Sequence, residues 1–142
     1  MSDNLGDLQK RYEHLLQNLL PLVSASVFHQ HIQTRPTNNG DAHVEIVSGM
    51  LHYVVTERGA ELRRRITSDS EELLYWLIDD VTSSISYKFD ASLLDRLLRK
   101  DPRRQRFKKH LKLLEKVNPE WAAKKKIYYA EVLGSYPYMH KA

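Results

Sequence analysis

Apolar positions recur along this chain at two different spacings, and the change from one to the other divides it. Leu5, Leu8, Tyr12, Leu15, Leu16, Leu19 and Leu20 fall three and four residues apart, which is one face of a helix with 3.6 residues per turn. Pro21 ends that helix. Arg35 to Asp41 gathers Pro, Thr, Asn and Gly without any apolar period, so it reads as an exposed loop. Beyond it the spacing shortens to two. His43 to Val47 and Met50 to Thr56 are rich in Val, Ile and Tyr and predict strands, with Ser48-Gly49 as a two-residue hairpin turn. Glu57-Arg58-Gly59-Ala60 supplies a second turn. Glu61 to Ile66 then predicts a third strand, with Leu62, Arg64 and Ile66 on one face and Glu61, Arg63 and Arg65 on the other.

The longer period returns after this strand. Ser68 and Glu71 fit a capping box, in which the hydroxyl accepts from the third helical amide and the glutamate reaches back. Leu73, Leu74, Leu77, Ile78, Val81 and Ile85 then mark one face of a helix. A shorter helix is expected around Ala91 to Arg99, before Pro102. Phe107, Leu111, Leu114 and Val117 mark the next, and Asn118-Pro119 stops it and opens a final helix that Gly134 closes. The expected fold class is α+β: an N-terminal helix, a small three-stranded antiparallel meander, then a layer of three to four helices. A chain of 142 residues suits one core, so residues 1–142 are expected to form a single domain.

Composition narrows the chemistry. The chain is 42% hydrophobic and 28% charged, as in ordinary globular proteins. Having no cysteine, it has no disulfide framework, no thiolate metal site and no thiol nucleophile, which suits a reducing compartment. The first residues lack a basic stretch followed by an apolar run, and no apolar stretch approaches the roughly 18 to 20 residues of a membrane span. A cytoplasmic location is therefore expected. The net charge of +4 conceals a division: residues 1–95 hold 8 basic and 14 acidic side chains, whereas residues 96–126 hold 13 basic and 3 acidic ones. Such asymmetry bears on encounter and partner choice.

Two charged sets are candidates for partner contact. Arg104, Lys108, Lys112 and Lys116 recur every four residues, a stripe about 18 Å long on a helix, flanked by Lys109. Like charges at this spacing oppose helix formation, which suits retention for a phosphate or an acidic protein. A solvated face opposite the Phe107 to Val117 stripe accounts for them equally simply. Asp69, Glu71, Glu72, Asp79 and Asp80 crowd the helix that starts near Ser68. The first three suit the positive end of the helix dipole. Asp79 and Asp80 lie beyond its reach, so carboxylates that cover a basic site on a partner are the alternative to a solvated face.

The remaining polar residues form no recognisable active site. His29-Gln30-His31 would place two imidazoles on one face of a strand without carboxylate support, and His43 and His52 lie on neighbouring strands. No metal and no cofactor are expected. No nucleophile elbow, glycine-rich phosphate loop or zinc-binding helix motif is present. Trp76 and Trp121 sit inside helical patterns and are expected in the core. The enzyme reading reduces to Glu57 as a general base near His52, an ordinary spacing for surface residues.

From the second strand onward the chain resembles the immunity protein 63 family of bacterial polymorphic-toxin systems. The residues that carry the resemblance are His52-Tyr53-Val54-Val55 with Glu57-Arg58-Gly59, then Glu72-Leu73-Leu74-Tyr75-Trp76 with Asp79. Asp101, Arg103-Arg104 and Phe107 follow, and Pro119-Glu120-Trp121 and Tyr136-Pro137 complete the set over about residues 52–137. The resemblance implies a non-catalytic inhibitor, made beside a secreted or contact-delivered toxin, that binds the toxin domain in the producing cell. A nuclease with a basic channel is one kind of toxin it implies, and Asp79, Asp80, Glu72 and Asp69 are then the expected contacts. The alternative is a nucleic-acid-binding or regulatory module that uses the basic 96–126 region, although no groove-reading motif stands out there.

Overall fold

The structure is a computed structural model that describes residues 4–20, 22–24, 31–87 and 101–138. The chain divides into two compact units, Met1–Ile78 and Asp79–Ala142. The boundary falls inside a helix that both units share.

The first unit begins with α1, Leu5–Gln17. Asn4 caps it by accepting the Asp7 amide at 2.9 Å, and the 3.6 period buries Leu8, Tyr12 and Leu16 on one side. The helix stops at Asn18, three residues before Pro21, and Leu19 in the following turn is still buried. Strands β1 (Asn39–Val47), β2 (Met50–Glu57) and β3 (Ala60–Thr67) form an antiparallel sheet in the order β1-β2-β3. The loop expected up to Asp41 is shorter, because Asn39 already pairs with Glu57 across an irregular register.

Both hairpins turn on two residues in the left-handed region: Ser48 and Gly49 (φ 51° and 78°), and Arg58 and Gly59 (φ 51° and 81°). This is the mirror-image turn whose twist matches that of the strands. Asn38 holds the second turn in place. Its carbonyl accepts the Arg58 amide and its side-chain oxygen the Gly59 amide, each at 3.1 Å, while its own amide donates to Thr56 Oγ1 at 3.0 Å.

Register assigns the two faces of the sheet. Val44, Tyr53 and Arg65 are cross-strand partners on one of them. There Trp76 meets Tyr53 edge-on at 5.8 Å, and the Arg65 guanidinium lies over both rings at 5.2 and 5.3 Å. Trp76 is thus half-buried under an arginine, whereas Trp121 is buried as expected. The apolar residues of β3 point the other way. Leu62 and Ile66 are 59% and 51% exposed, so the alternation of β3 was readable but its apolar side is the outward one.

Helix α2 spans Ser70–Tyr87, one residue later than the Ser68 capping box implies. Thr67 Oγ1 accepts the Asp69 amide at 3.0 Å, and the Asp69 carboxylate accepts the Glu71 amide at 2.9 Å, so aspartate takes the capping role. Leu73, Leu74, Leu77 and Ile78 are buried as the period predicts. Further along, the fully buried positions belong to Thr82 and Ser86, with Val81 and Ile85 only half-buried.

In the second unit the C-terminal part of α2 precedes α3 (Pro102–Val117) and α4 (Pro119–Ser135). Each of these two helices opens on proline after a capping side chain, Asp101 for α3 and Asn118 for α4. Asn118 also ends α3, its amide donating to the Leu114 carbonyl at 2.7 Å. α3 buries His110, Leu113, Leu114 and Val117. Phe107 and Leu111 are half-buried, and the Phe107 ring stacks on Tyr129 of α4 at 3.8 Å. The expected helix at 91–99 lies outside the described residues. Among the described residues the architecture is α+β: a helix, a three-stranded antiparallel meander and three further helices.

Candidate partner-binding surface

The four carboxylates expected at a partner have different surroundings. Asp69 and Glu72 belong to the first unit, where Asp69 is exposed and caps α2 and Glu72 is half-buried. Their neighbour Glu71 pairs with Arg11 of α1. Asp79 and Asp80 belong to the second unit. Asp80 is exposed. Asp79 turns inward, its side chain only 23% exposed.

A polar cluster formed by α2, α3 and α4 surrounds Asp79. Lys125 of α4 donates to its Oδ2 at 3.1 Å. His110 of α3, 2% exposed, places Nε2 at 3.1 Å from Asp79 Oδ1 and 2.9 Å from Thr82 Oγ1. The hydroxyl is the better-directed hydrogen-bond partner, since Asp79 Oδ1 meets no hydrogen-bond geometry, and the carboxylate contact is one of charge and distance. The other ring nitrogen meets the Tyr129 hydroxyl. Both ring nitrogens of His110 are thus engaged, Nε2 by Thr82 and Asp79 and Nδ1 by Tyr129. Burial alone pushes the Asp79 carboxyl up, but the His110 contact and the Lys125 charge outweigh it and hold the group below its ordinary value.

This cluster has the residue types of a proton relay, yet both His110 nitrogens are engaged by side chains of the same unit. Its chemistry is that of a buried, compensated charge. Helical spacing alone gives Asp79 no structural reason, because the partners that supply one lie on α3 and α4. A signal was present: His110 interrupts the apolar stripe between Phe107 and Leu114 at helical spacing.

The basic set is arranged as the sequence implies. Arg104, Lys108, Lys112 and Lys116 are all exposed on α3, on the side away from His110, Leu114 and Val117. Arg104 lies over the Tyr138 ring at 4.3 Å, and nearby Arg106 covers Tyr87 at 4.0 Å. The outer side of α3 is thus a cationic face with one aromatic ring, Tyr138, against Arg104.

The residues that carried the family resemblance have mostly architectural surroundings. Glu57, Arg58 and Gly59 form the end of β2 and its turn. Tyr75 is buried, and Trp76 packs under Arg65. Asp101 caps α3 and grips Arg103 at 2.9 Å, and Arg103 in turn donates to the carbonyls of Tyr136 and Pro137, both at 2.7 Å. Asp101, Arg103 and Tyr136-Pro137, scattered along the sequence, are therefore one clamp between the start of α3 and the segment after α4.

On the sheet, Arg64 joins Glu61 at 2.7 Å, Glu45 at 3.5 Å and His52 Nδ1 at 2.8 Å, and His43 bonds Glu45 at 2.7 Å. The His43 bond, then the Arg64 charge, draw the Glu45 carboxyl down against the effect of desolvation. His52 thus faces Arg64, and Glu57 stands apart at the end of its strand, so the pair has no acid–base geometry. His29 lies outside the described residues. Among the described residues no group of three His, Asp or Glu gathers in a metal-binding arrangement, and no helix is long and apolar enough to cross a membrane.

The family model of Immunity protein 63 matches residues 48–131. This stretch runs from the first hairpin turn to the last turns of α4, short of Tyr136-Pro137. No curated protein and no solved structure matches the chain.

Proposed function

The chain belongs to the Immunity protein 63 family, and on that premise we propose that it binds a cognate bacterial toxin domain in the producing cell and neutralises it without catalysis. The observation that carries this reading is the family match over residues 48–131. The surroundings of the ionisable clusters agree with it: the histidines at 43, 52 and 110 are tied to neighbouring side chains, in networks suited to stability.

For the contact itself we place Asp80 first among the expected carboxylates, because it is exposed whereas the Asp79 side chain turns inward. Asp79 then acts behind the surface by fixing the helix from which Asp80 projects. Asp69 and Glu72, in the other unit, are separate candidates. A toxin with a basic substrate channel, such as a nuclease, suits this carboxylate. The second reading, a nucleic acid or acidic ligand on α3, draws on the exposed stripe Arg104, Lys108, Lys112 and Lys116.

The test is coexpression with the toxin domain encoded next to this gene, scored by growth rescue and copurification. Affinity is then measured for Asp80→Lys and for Lys108→Glu with Lys112→Glu, after circular dichroism shows each to be folded. Reversal of a charge at an interface typically costs about 2 kcal/mol or more, so Asp80→Lys should weaken binding at least about tenfold. A large loss in the lysine variant beside an unchanged Asp80→Lys would transfer the contact to α3. No rescue and no copurification would remove the immunity reading.

A further inference from the structure

The chain has five asparagines, at 4, 18, 38, 39 and 118, and only Asn39 is followed by glycine. The backbone nitrogen of the following residue is placed to close a five-membered ring on an asparagine side-chain carbonyl carbon. Glycine offers that nitrogen without a flanking side chain and with the widest choice of backbone angles.

The fold leaves this pair open. Asn39, Gly40 and Asp41 are exposed. The ladder between β1 and β2 passes from Asn39↔Glu57 to Ala42↔Val55, and the shift between them gives Gly40 and Asp41 no cross-strand partner in that register. Gly40 has φ 91°. Apart from its chain neighbours, no heavy atom lies within 4 Å of the place a Cβ would take there. The Asp41 amide donates to Asn39 Oδ1 at 3.0 Å. That bond polarises the side-chain carbonyl and sits where negative charge develops when its carbon is attacked. Thr37 braces the segment, its hydroxyl donating to the Asp41 carbonyl at 2.8 Å and accepting the Asn39 amide at 3.5 Å.

We propose that Asn39 is a site of spontaneous deamidation in the folded protein. A solvent base takes the Gly40 amide proton, the nitrogen bonds to Asn39 Cγ, and the Cγ–Nδ2 bond breaks to release ammonia. Water then opens the cyclic imide at either carbonyl. The net change is amide plus water to acid plus ammonia, which leaves aspartate or its isoaspartyl isomer at position 39. Either product sets a carboxylate opposite Glu57, and like charges directly opposite destabilise a strand pair. The isoaspartyl form also lengthens the main chain by a methylene beside Asn38, which holds the Arg58 and Gly59 amides. This inference does not rest on toxin binding, and the two can fail separately.

Incubation of the full chain at neutral and at mildly alkaline pH tests it, followed by peptide mass mapping that separates aspartyl from isoaspartyl products. Conversion at Asn39 should outpace that at Asn38 and Asn118 by at least about tenfold. It should rise with pH, and Asn39→Gln should abolish it. In urea at the same pH the Asp41 hydrogen bond is lost, so the folded chain should convert at least as fast as the unfolded one. Amide exchange at Arg58 and Gly59 should quicken in the converted fraction. An unconverted Asn39, equal conversion at Asn38 or Asn118, or slower conversion in the folded chain than in urea would overturn the proposal. Unchanged exchange at Arg58 and Gly59 would overturn the structural consequence.

Discussion

Replacing Asp79 by alanine removes the carboxylate that Lys125, whose side chain is only 12% exposed, meets at 3.1 Å. Breaking a fully buried pair from one side costs about 3–5 kcal/mol. Asp79 retains some contact with water, and Lys125 also lies 4.6 Å from the Tyr128 ring, so a loss somewhat below that range, about 2–3 kcal/mol, is expected. Urea unfolding followed by tryptophan fluorescence measures it, with Asp80→Ala, the exposed neighbour, as the comparison that should cost less. The pH dependence provides a second reading. The folded carboxyl titrates below its unfolded counterpart, so its contribution is fully present above the unfolded value of about 4. It is lost as pH falls through the folded value. The gap between the unchanged chain and Asp79→Ala should therefore be constant near neutrality and close progressively in acid. A loss no larger than that of Asp80→Ala, or a gap that widens in acid, would refute the assignment of Asp79 to a stabilising internal pair. A double-mutant cycle with Lys125→Met should return a coupling of at least about 1 kcal/mol.

Two further outcomes follow from local geometry. Arg58→Asn places a residue that tolerates the left-handed region at φ 51° and should raise stability by about 0.5–1 kcal/mol in thermal unfolding; a fall would mean that the arginine side chain, not its backbone, matters to the fold. Arg103→Ala removes the bonds to the Tyr136 and Pro137 carbonyls. It should lower stability by about 1–2 kcal/mol and speed amide exchange at Tyr136 and Tyr138 well before the middle of α4, whereas uniform acceleration along α4 would show that the clamp is not local.

The family resemblance read from scattered residues meets a physical explanation in these contacts. Asp101 and Arg103 serve a cap and a clamp, Arg58 and Gly59 a tight turn, and Tyr75 and Trp76 the packing of α2 in its unit. Motifs of this kind identify an architecture and a family. The surface that meets a variable partner need not be among them, which is why exposed residues outside them, such as Asp80 and the lysines of α3, are the ones placed under test.

Elements and turns were legible in the sequence because their causes are local. The period of apolar residues marks α1, α2 and α3, alternation marks the strands, and Ser48-Gly49, Arg58-Gly59 and Asn118-Pro119 punctuate them through backbone preferences that neighbours scarcely alter. The charge division and the exposed stripe of α3 were likewise present in residue spacing alone. Which side of β3 turns inward was decided elsewhere. The alternation of β3 puts Leu62 and Ile66 on one face and only charged residues on the other, which by itself favours the apolar face inside, yet Trp76 beside Tyr53 covers Arg65 and leaves Leu62 and Ile66 outside. The role of Asp79 was settled in the same way, since Lys125 and His110 are 46 and 31 positions away and meet the carboxylate only where α2, α3 and α4 converge. Periodicity records what each residue prefers, but an ion pair in a core depends on distances between residues that the sequence does not bring together.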